Sequence, residues 1–420
     1  MADVCSLAAH KEKVEKTDIN GYTDELADKF AGEVGVPPRP METKNEIDER
    51  GAFVRQPNAF VAPAGDKEGQ WKPEANRYQI YWMKGCNWSN RPVIVRDILG
   101  LTDVIGDQLT SHSGPSNKYG HGFGDQKDFK DPRTGAYFLS EFYKNANPDF
   151  KGRATTPTLV DVIDKKAVNN DYHRMTNYLE VNFRALQPKD APDLYPVKYR
   201  DVIDEFNDWL FPHINNGHYR MAFCQSLEAY DEAFDDFYES MDKLEKRLSE
   251  NRFLFGDYIT DSDVRFFVTI VRWDTSYFRN VGPVHKRIAD YPNIYGYMKE
   301  LYNIPAFKNA TYVHELVLGR HSADKDKDLF ADWNVRIASQ IDYDKLWADD
   351  GSRAKLSSDP RGDIYLRHPN DETVEDYLSE ISFSHWNLEA QKDRDPSDPT
   401  NSILRVDASI NPLKGLLKNE

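Results

Sequence analysis

The sequence contains little cysteine and no long hydrophobic run. Its 420 residues include three cysteines, Cys5, Cys86 and Cys224, which are too widely spaced for a disulfide framework or a CxxC metal site. This usage is typical of a reducing compartment, so we predict a cytoplasmic protein. No apolar run approaches the ~18 residues that a membrane-spanning helix requires. The opening residues, MADVCSLAAHKEKVEK, lack the basic-then-apolar order of a signal peptide, so we expect none.

Positive charge is also in short supply. Lysine and arginine total 54 residues against 70 aspartates and glutamates, which gives a net charge of -16. An acidic chain repels the phosphates of nucleic acids and anionic lipids, so we expect neither as a partner. Aromatic residues make up 13% of the chain, unlike the composition of a disordered protein. Length and aromatic content together predict a globular protein with two domains and a sizeable core.

Residues 77–101, RYQIYWMKGCNWSNRPVIVRDILGL, are the stretch around which the rest of the chain is organised. Alternation over residues 78–83 predicts a short strand, and Lys84-Gly85 predicts a turn after it. Apolar residues with helical spacing follow, at Val93, Ile94, Ile98 and Leu99. Cys86 is therefore predicted to lie at or just before a helix N-terminus, with Pro92 either starting the regular helix or bending it.

A cysteine at the start of a helix has a specific chemistry. The unpaired N–H groups and the positive end of the helix dipole stabilise a thiolate. Ser89 is predicted to donate a hydrogen bond to the same sulfur. Because no second cysteine is near, monothiol exchange is favoured over an intramolecular disulfide. The alternative for Cys86 is a small, buried and unreactive cysteine, which is our interpretation of Cys224.

The remaining pattern of the first half predicts a small α/β domain. Proline, glycine and charge interrupt residues 1–72, which predicts an irregular arm with one short helix near residues 21–31. Residues 103–130 are rich in Gly, Ser, His and Asp, and this predicts a long, substrate-facing loop. A strand, a hairpin turn, a return strand and a capped helix are predicted over residues 156–183.

From about residue 200 onward the period of the apolar residues is helical. The strongest local signal is a capping box, with Thr260 as N-cap and Asp263 in place of the usual glutamate. The helix that it begins, over residues 261–273, is predicted to be central and buried. A late amphipathic helix is predicted from Val374, Leu378 and Ile381. The alternating run DKDKD offers no converging ligands, so we predict no metal site.

Four stretches carry a resemblance to a known family. In chain order they are NPDFKGRATTPTLVD, HINNGHYRMAF followed by QSLEAYDEAFDDFYESMDKLEKRL, RFLFGDYITDSDVRFFVTIVRWD, and DYPNIYGYMKELY. They resemble DPxYxGRVTVPVLWD, NINNGVYK…F…QEAY, RYLxGDxxTEADxRLFTTLxRFD and YPNLxGYLRDLY of the glutathionyl-hydroquinone reductases, the Xi-class glutathione transferases. With residues 77–101, the resemblance spans roughly residues 78–315.

The resemblance implies the cytosolic glutathione transferase fold, an α/β thioredoxin-like domain followed by an all-α domain. On that basis we expect four segments along the chain. They are an irregular N-terminal arm (1–72), a thioredoxin-like thiol-binding domain (73–187), an all-helical domain (188–320) and a C-terminal extension (321–420). The family also implies a homodimer.

The family's nucleophile lies in CPWAHR, which corresponds to residues 86–91 of this chain. The resemblance therefore implies that Cys86 is the catalytic nucleophile, although Asn and Ser replace the family's Pro and Ala. Tyr219 corresponds to the tyrosine in NNGxY, and Tyr295 corresponds to the one in NLYG. In the family, these two phenols line the acceptor pocket beside the cysteine.

Three thiol-binding positions follow from the stretch GRATTPTLVD. Arg153 and Ala154 correspond to the family's Arg-Val, where the valine acts through its backbone, so Ala154 can serve. Pro157 takes the position of the cis-proline, which exposes the preceding backbone groups to the thiol peptide. Glutathione is therefore implied as the co-substrate.

Three other thiol-binding positions depart from the family. Its Glu-Ser pair, which holds the γ-glutamyl end of glutathione, corresponds to Asp171-Tyr172, a shorter acid beside a bulkier neighbour. Asp171 alternatively only caps its helix. The family's tryptophan over the thiol has Phe123 as its nearest candidate, and Phe123 lacks an indole N–H. These departures imply either glutathione in an altered pose or a related low-molecular-weight thiol.

The implied activity is reductive dethiolation of glutathionyl-hydroquinone-type conjugates, that is, small aromatic or quinone thioethers, through a mixed disulfide on Cys86. Two alternatives remain open at this point. One is a thiol-dependent lyase or reductive dehalogenase of aromatic substrates. The other is a transferase-fold scaffold with a degenerate thiol site.

Overall fold

The first half of the protein is built on a four-stranded mixed sheet. The structure is a computed structural model that describes residues 21–38, 46–56, 58–281, 285–318, 340–359, 361–369 and 373. The strands are β1 (Tyr78–Trp82), β2 (Gly106–Leu109), β3 (Thr158–Asp161) and β4 (Lys166–Asn169). Their spatial order is β2-β1-β3-β4. Only the β1–β2 pair is parallel, and the other two pairs are antiparallel.

The central strand β1 explains the dense aromatic run YQIYW. All of its residues are buried, and Ile80 pairs with Asp107 on one side and Leu159 on the other. A strand that pairs on both edges and is packed against other elements on both faces exposes no face to solvent. Its sequence therefore does not need alternating polar residues.

The loop predicted over residues 103–130 contains a strand, so that part of the prediction was wrong. The strand is β2, with the sequence GDQL, and none of its residues is fully buried. A short edge strand with polar residues lacks the alternation of apolar and polar residues by which strands are predicted. Neither of its faces is packed tightly enough to need apolar side chains.

Helices surround the sheet, and all the regular elements that follow β4 in the described residues are helical. They are α1 (Asp24–Val34), α2 (Asn87–Ile98), α3 (Leu139–Ala146), α4 (Met175–Asn177), α5 (Arg200–Leu210), α6 (Gly217–Phe223), α7 (Leu227–Glu250), α8 (Asp261–Trp273), α9 (Pro292–Tyr302), α10 (Pro305–Ala310), α11 (Val313–Leu318) and α12 (Tyr343–Leu346). Short π-helical segments, residues 178–182 and 211–215, extend α4 and α5. Among the described helices, none has both the length and the hydropathy that crossing a bilayer requires.

Helix α8 is the central element of the helical half, as predicted. All 13 of its residues are buried. Its capping box is present, and the Asp263 carboxylate accepts hydrogen bonds from the backbone N–H and the hydroxyl of Thr260 at 2.8 and 2.9 Å. The same carboxylate also accepts from the Leu254 N–H at 2.9 Å and from the Tyr297 hydroxyl at 2.8 Å. Asp263 therefore joins the start of α8 to the preceding loop and to α9.

The N-terminal arm is more specifically attached than the sequence suggested. Helix α1, close to the helix predicted near residues 21–31, begins after Thr23, whose hydroxyl accepts from the Leu26 N–H at 3.2 Å. Farther along the arm, the Gly51 carbonyl accepts from the Gln225 N–H at 2.7 Å. The arm therefore covers the helical half and is also joined to it by a backbone hydrogen bond.

Residues 340–359 pack back onto the helical half. Trp347 is buried beside Tyr302, with 5.1 Å between the ring centroids. The guanidinium of Arg353 donates to four backbone carbonyls, those of Leu248, Asn251, Arg252 and Asn293. The late helix predicted from residues 374, 378 and 381 lies outside the described residues.

Candidate active site

Cys86 is the N-cap residue of α2, as predicted. Its backbone is extended, with φ -87° and ψ 110°, and the helix begins at Asn87. Pro92 lies inside the helix and does not start it. The Cys86 sulfur is partly exposed and lies 3.5 Å from the Thr156 carbonyl oxygen. The Thr156–Pro157 peptide bond is cis, so the predicted nucleophile and the predicted cis-proline are next to each other.

The role predicted for Ser89 was wrong. Its hydroxyl donates to the carbonyls of Met83 and Cys86 at 3.2 and 3.1 Å, and it accepts from the Met83 N–H at 3.1 Å. A side chain three residues into the helix points back along the preceding turn. Ser89 therefore holds the loop before the cysteine, and its hydrogen bonds go to the backbone and not to the sulfur.

Two buried arginines lie behind Cys86. Arg272 of α8 donates to the Lys84 carbonyl at 3.2 Å and to Asn90 at 2.6 Å, and so supports the turn that carries the cysteine. Arg91 donates to Asn215 at 3.0 Å, and its guanidinium carbon lies 4.7 Å from the Trp88 ring. Burial lowers the pKa of Arg91 to about 9, so Arg91 is still a cation at neutral pH.

Two tyrosine hydroxyls meet beside the cysteine. The Tyr219 hydroxyl donates to the Asn87 side chain at 3.1 Å and lies 3.3 Å from the Tyr277 hydroxyl. Burial raises the pKa of both phenols, and the charge of Cys86 raises the Tyr219 pKa further. Both hydroxyls are therefore protonated, and hence hydrogen-bond donors, over the whole physiological pH range.

Tyr277 was not predicted, whereas Tyr295 was. Tyr295 lies on α9, half-buried against the main core, with the Lys299 ammonium 5.4 Å from its ring, and it does not line the pocket. Tyr277 is in a short 3₁₀ turn just after α8, within reach of Tyr219. Tyr277 does not line the pocket either, and it joins the site only through its contact with the Tyr219 hydroxyl.

Of the predicted thiol-binding residues, Arg153 and Tyr172 line the pocket with Cys86 and Tyr219. Arg153 is already paired, because the Glu46 carboxylate of the arm forms an ion pair with its guanidinium. The Tyr172 ring packs on the Trp88 ring at 5.2 Å. Tyr172 therefore fills space beside the cysteine where the family has a serine.

Asp171, Ala154 and Phe123 do not line the pocket. The Asp171 carboxylate is buried and accepts from the Asn58 side chain and from the His173 N–H, both at 3.1 Å. Its burial raises its pKa. Phe123 is fully buried in a second core beside Tyr81. The sequence identified Phe123 by its place in the loop, but in the structure that ring faces the core.

The arm supplies one side of the pocket, which sequence reasoning missed. Five arm residues line it: Glu46, Phe53, Arg55, Gln56 and Asn58. The guanidinium carbon of Arg55 lies 4.7 Å from the Trp88 ring and 4.4 Å from the Tyr219 ring. These contacts join residues far apart in the chain, so no local pattern signals them.

His218 is buried directly behind the two tyrosines. Its ring stacks on Tyr277 with 3.8 Å between centroids, and among the described residues neither of its nitrogens has a hydrogen-bond partner. Burial, together with the nearby Arg55 charge, lowers the pKa of His218 to about 3. The ring is therefore neutral at physiological pH and is not a proton donor there.

This burial predicts a pH dependence of stability. The unfolded chain protonates His218 near pH 6.5, whereas the folded protein does so only near pH 3, so stability falls as pH falls through that window. Between pH 7 and pH 5 the loss from this group is about 2 kcal/mol. We expect His218→Phe to remove it. Urea unfolding of both proteins at the two pH values measures the difference, and equal losses would contradict the assignment.

Comparison of the sequence with known proteins shows which family it resembles. Residues 228–300 match the family model "Glutathione S-transferase, C-terminal domain". The chain is 33% identical over 270 residues to glutathionyl-hydroquinone reductase YqjG of Escherichia coli, covering 61% of this chain and 80% of that one.

Solved structures agree. The glutathione S-transferase Xi of Phanerochaete chrysosporium superposes with a TM-score of 0.59 at 34% identity, covering 66% of this chain and 91% of that one. The glutathione-bound structure of E. coli YqjG gives a TM-score of 0.57 at 28% identity, covering 68% and 92%. The protein has the cytosolic glutathione transferase fold and belongs to the family of Xi-class glutathione transferases and glutathionyl-hydroquinone reductases.

Proposed function

We propose that this protein is a cysteine-dependent reductase that removes glutathione from glutathionyl-hydroquinone-type conjugates. The observation that carries the proposal is the position of Cys86, which is partly exposed at the start of α2 in a pocket lined by aromatic rings. A cysteine so placed is a nucleophile, and the flat rings around it suit an aromatic thioether.

The reaction begins with the hydroquinone conjugate as its keto tautomer. The Cys86 thiolate attacks the glutathione sulfur and forms a disulfide with it, and the carbon–sulfur bond breaks. The electron pair of that bond moves into the ring, which becomes a phenolate and takes up a proton. A second glutathione then attacks the mixed disulfide, releasing glutathione disulfide and the Cys86 thiolate. In the net reaction the ring is reduced, and the thioether sulfur of the conjugate and the thiol of the second glutathione are oxidised together to one disulfide.

The surrounding groups have separate roles in this scheme. Tyr219 lines the pocket and donates a hydrogen bond to a ring oxygen in place of the one to Asn87, while Tyr277 contacts the substrate only through the Tyr219 hydroxyl. Their raised pKa values keep both phenols protonated. Arg272 supports the turn that carries the cysteine, and Arg91 holds Asn215 behind it. Arg153 and Tyr172 form the thiol side of the pocket, with the cis Pro157 and the Ala154 backbone behind them and Asp171 buried beneath. The roles proposed for Tyr295 and Phe123 receive no support from their positions.

The ion pair between Glu46 and Arg153 predicts competition with the co-substrate. A glutathione carboxylate that binds Arg153 must displace Glu46. We expect Glu46→Gln to tighten glutathione binding about fivefold, because removing a partly buried competing charge is worth on the order of 1 kcal/mol. Isothermal calorimetry measures the change, with Glu232→Gln, the half-exposed partner of Arg50, as control. Weaker binding in Glu46→Gln would instead mean that Glu46 positions Arg153 for the thiol.

The direct test of the function is a turnover assay. A glutathionyl-hydroquinone is supplied with excess glutathione, and release of the free hydroquinone is followed. Turnover supports the proposal and shows that Asp171-Tyr172 accept glutathione. If there is none, the assay is repeated with bacillithiol, mycothiol and γ-glutamylcysteine conjugates. Activity with one of these would identify a different thiol, and inactivity with all of them would favour a scaffold.

We further propose that the protein is cytoplasmic and homodimeric. The absence of a cysteine framework in the sequence supports the first point, and the family resemblance supports the second. A thiol-dependent lyase or dehalogenase is the second enzymatic candidate, because the same aromatic pocket would accept a halogenated ring. Substrate profiling distinguishes it by halide release without loss of a glutathionyl group.

A further inference from the structure

Arg55 is a cation of the arm that is held firmly in the pocket. Its guanidinium lies over the rings of Trp88 and Tyr219, at 4.7 and 4.4 Å from the guanidinium carbon to each centroid. Its Nε donates to the Asn216 side chain at 2.7 Å. Two aromatic faces and one hydrogen bond therefore fix the plane and the direction of the group.

One donor of Arg55 has no partner. The Nη2 atom is buried without a hydrogen bond to any described residue. No described carboxylate forms an ion pair with Arg55, and the one acidic residue that lines the pocket, Glu46, is paired with Arg153. An arginine donor that is shielded from water and unpaired is costly, and an anionic acceptor would relieve that cost.

The position of Arg55 specifies which ligand would supply that anion. The Arg55 guanidinium lies over the Tyr219 ring, and the Tyr219 hydroxyl donates to the side chain of Asn87, the residue after Cys86. An aromatic ring whose thioether reaches Cys86 would lie beside Tyr219 and thus beside Arg55. Arg153 lines the same pocket but is paired with Glu46, and the side chain of Gln56, next to Arg55, donates to its carbonyl at 3.4 Å. Arg55 is thus the pocket arginine that packs on Tyr219 and is free of a described carboxylate.

We propose that Arg55 binds an anionic oxygen on the aromatic acceptor and thereby selects acceptors that carry one. This inference rests on the proposed function, because it assigns the aromatic part of the substrate to this side of the pocket. The oxygen has two sources, a carboxylate substituent on the ring or a ring hydroxyl that is ionised. Either provides the acceptor that an arginine fork binds best.

Equilibrium binding of product analogues tests the proposal without turnover, so its outcome does not depend on whether the protein is a reductase. The probes are 2,5-dihydroxybenzoate against 2,5-dihydroxybenzamide for the carboxylate, and tetrafluorohydroquinone against hydroquinone for the ionised hydroxyl. Quenching of tryptophan fluorescence in the full chain reports binding. We expect the wild-type protein to bind the anionic member of at least one pair roughly tenfold or more tightly.

The variants identify the residue responsible. Arg55→Met is expected to abolish the preference, and Arg55→Lys to keep part of it, since lysine retains the charge without the fork. Arg50→Met is the control, because Arg50 lies on the same arm but is half-exposed and pairs with Glu232. Thermal unfolding checks that each variant is folded. If Arg55→Met is not folded, the comparison is made with Arg55→Lys.

The pair that shows the preference identifies the source of the oxygen. A preference for the benzoate points to a carboxylate substituent, and a preference for the fluorinated ring alone points to the ring hydroxyl. The proposal is overturned if neither pair shows a preference in the wild-type protein. It is also overturned if the preference survives in a folded Arg55→Met protein, or if Arg55→Met weakens both members of each pair equally.

Discussion

Replacing Cys86 with alanine is expected to abolish turnover of glutathionyl-hydroquinone conjugates, with a loss of about 10³-fold or more in kcat. The sulfur forms the bond that replaces the carbon–sulfur bond of the substrate, and no other thiol lines the pocket in the described part of the chain. Alanine removes only the sulfur of a partly exposed residue, and among the described residues that sulfur forms one hydrogen bond, to the Thr156 carbonyl at 3.5 Å. The fold and the melting temperature should therefore be nearly unchanged.

The matched control is Cys224→Ala. Cys224 is the other described cysteine, its sulfur donates to the Met221 carbonyl at 3.2 Å, and it does not line the pocket. We expect this variant to retain full activity. Mass spectrometry after a single turnover without excess thiol should find glutathione attached to Cys86 in the wild-type protein. Normal turnover by the Cys86→Ala protein would refute the mechanism, whatever the behaviour of the Cys224 variant.

Replacing Asp263 with alanine is expected to give the largest loss of stability among the changes considered, about 3–5 kcal/mol. Its carboxylate is fully buried and accepts four hydrogen bonds, from two backbone N–H groups and two hydroxyls. Alanine leaves those donors buried and unpaired at the start of the central helix. Each such donor costs on the order of 1–3 kcal/mol, partly relieved by rearrangement.

Urea unfolding compares this variant with two others. Asp342→Ala removes the N-cap of α12, where the carboxylate accepts one exposed hydrogen bond from the Lys345 N–H at 3.1 Å, and should cost about 1 kcal/mol or less. Asp263→Asn keeps the shape but only one oxygen, so its loss should lie between the two. A loss for Asp263→Ala no larger than that for Asp342→Ala would show that the capping box does not hold the helical half together.

The elements that the sequence predicted well are those specified by neighbouring residues. The turn at Lys84-Gly85, followed by apolar residues at helical spacing, predicted that Cys86 lies at the start of α2. The pair Thr260 and Asp263 predicted the capping box of α8. Both signals operate within one helical turn, because a cap needs only groups two or three residues away. The family's conserved stretches, read in order, were enough to predict the transferase fold.

Other expectations failed because a side chain's direction depends on what packs around it. Ser89 had the right spacing to reach the sulfur but bonds to the Met83 and Cys86 backbone instead. Phe123 lies in a core and Tyr295 lies on α9, and neither lines the pocket, whereas Tyr277 contacts Tyr219 without having been predicted. The limits of the four segments, after residues 72, 187 and 320, and the roles of the site residues stay predictions.

The sequence by itself determined the position of Cys86 at a helix start and the buried central helix, and its resemblance to a known family implied the cis-proline at Pro157. Only the tertiary structure decided what surrounds the sulfur. Glu46 and Arg55 come from an arm without any regular period, yet they reach Arg153, Trp88 and Tyr219. Contacts between such distant residues are set by how the arm lies across both halves of the fold. The local sequence pattern indicates the secondary structure of a segment but does not indicate which surface the segment packs against.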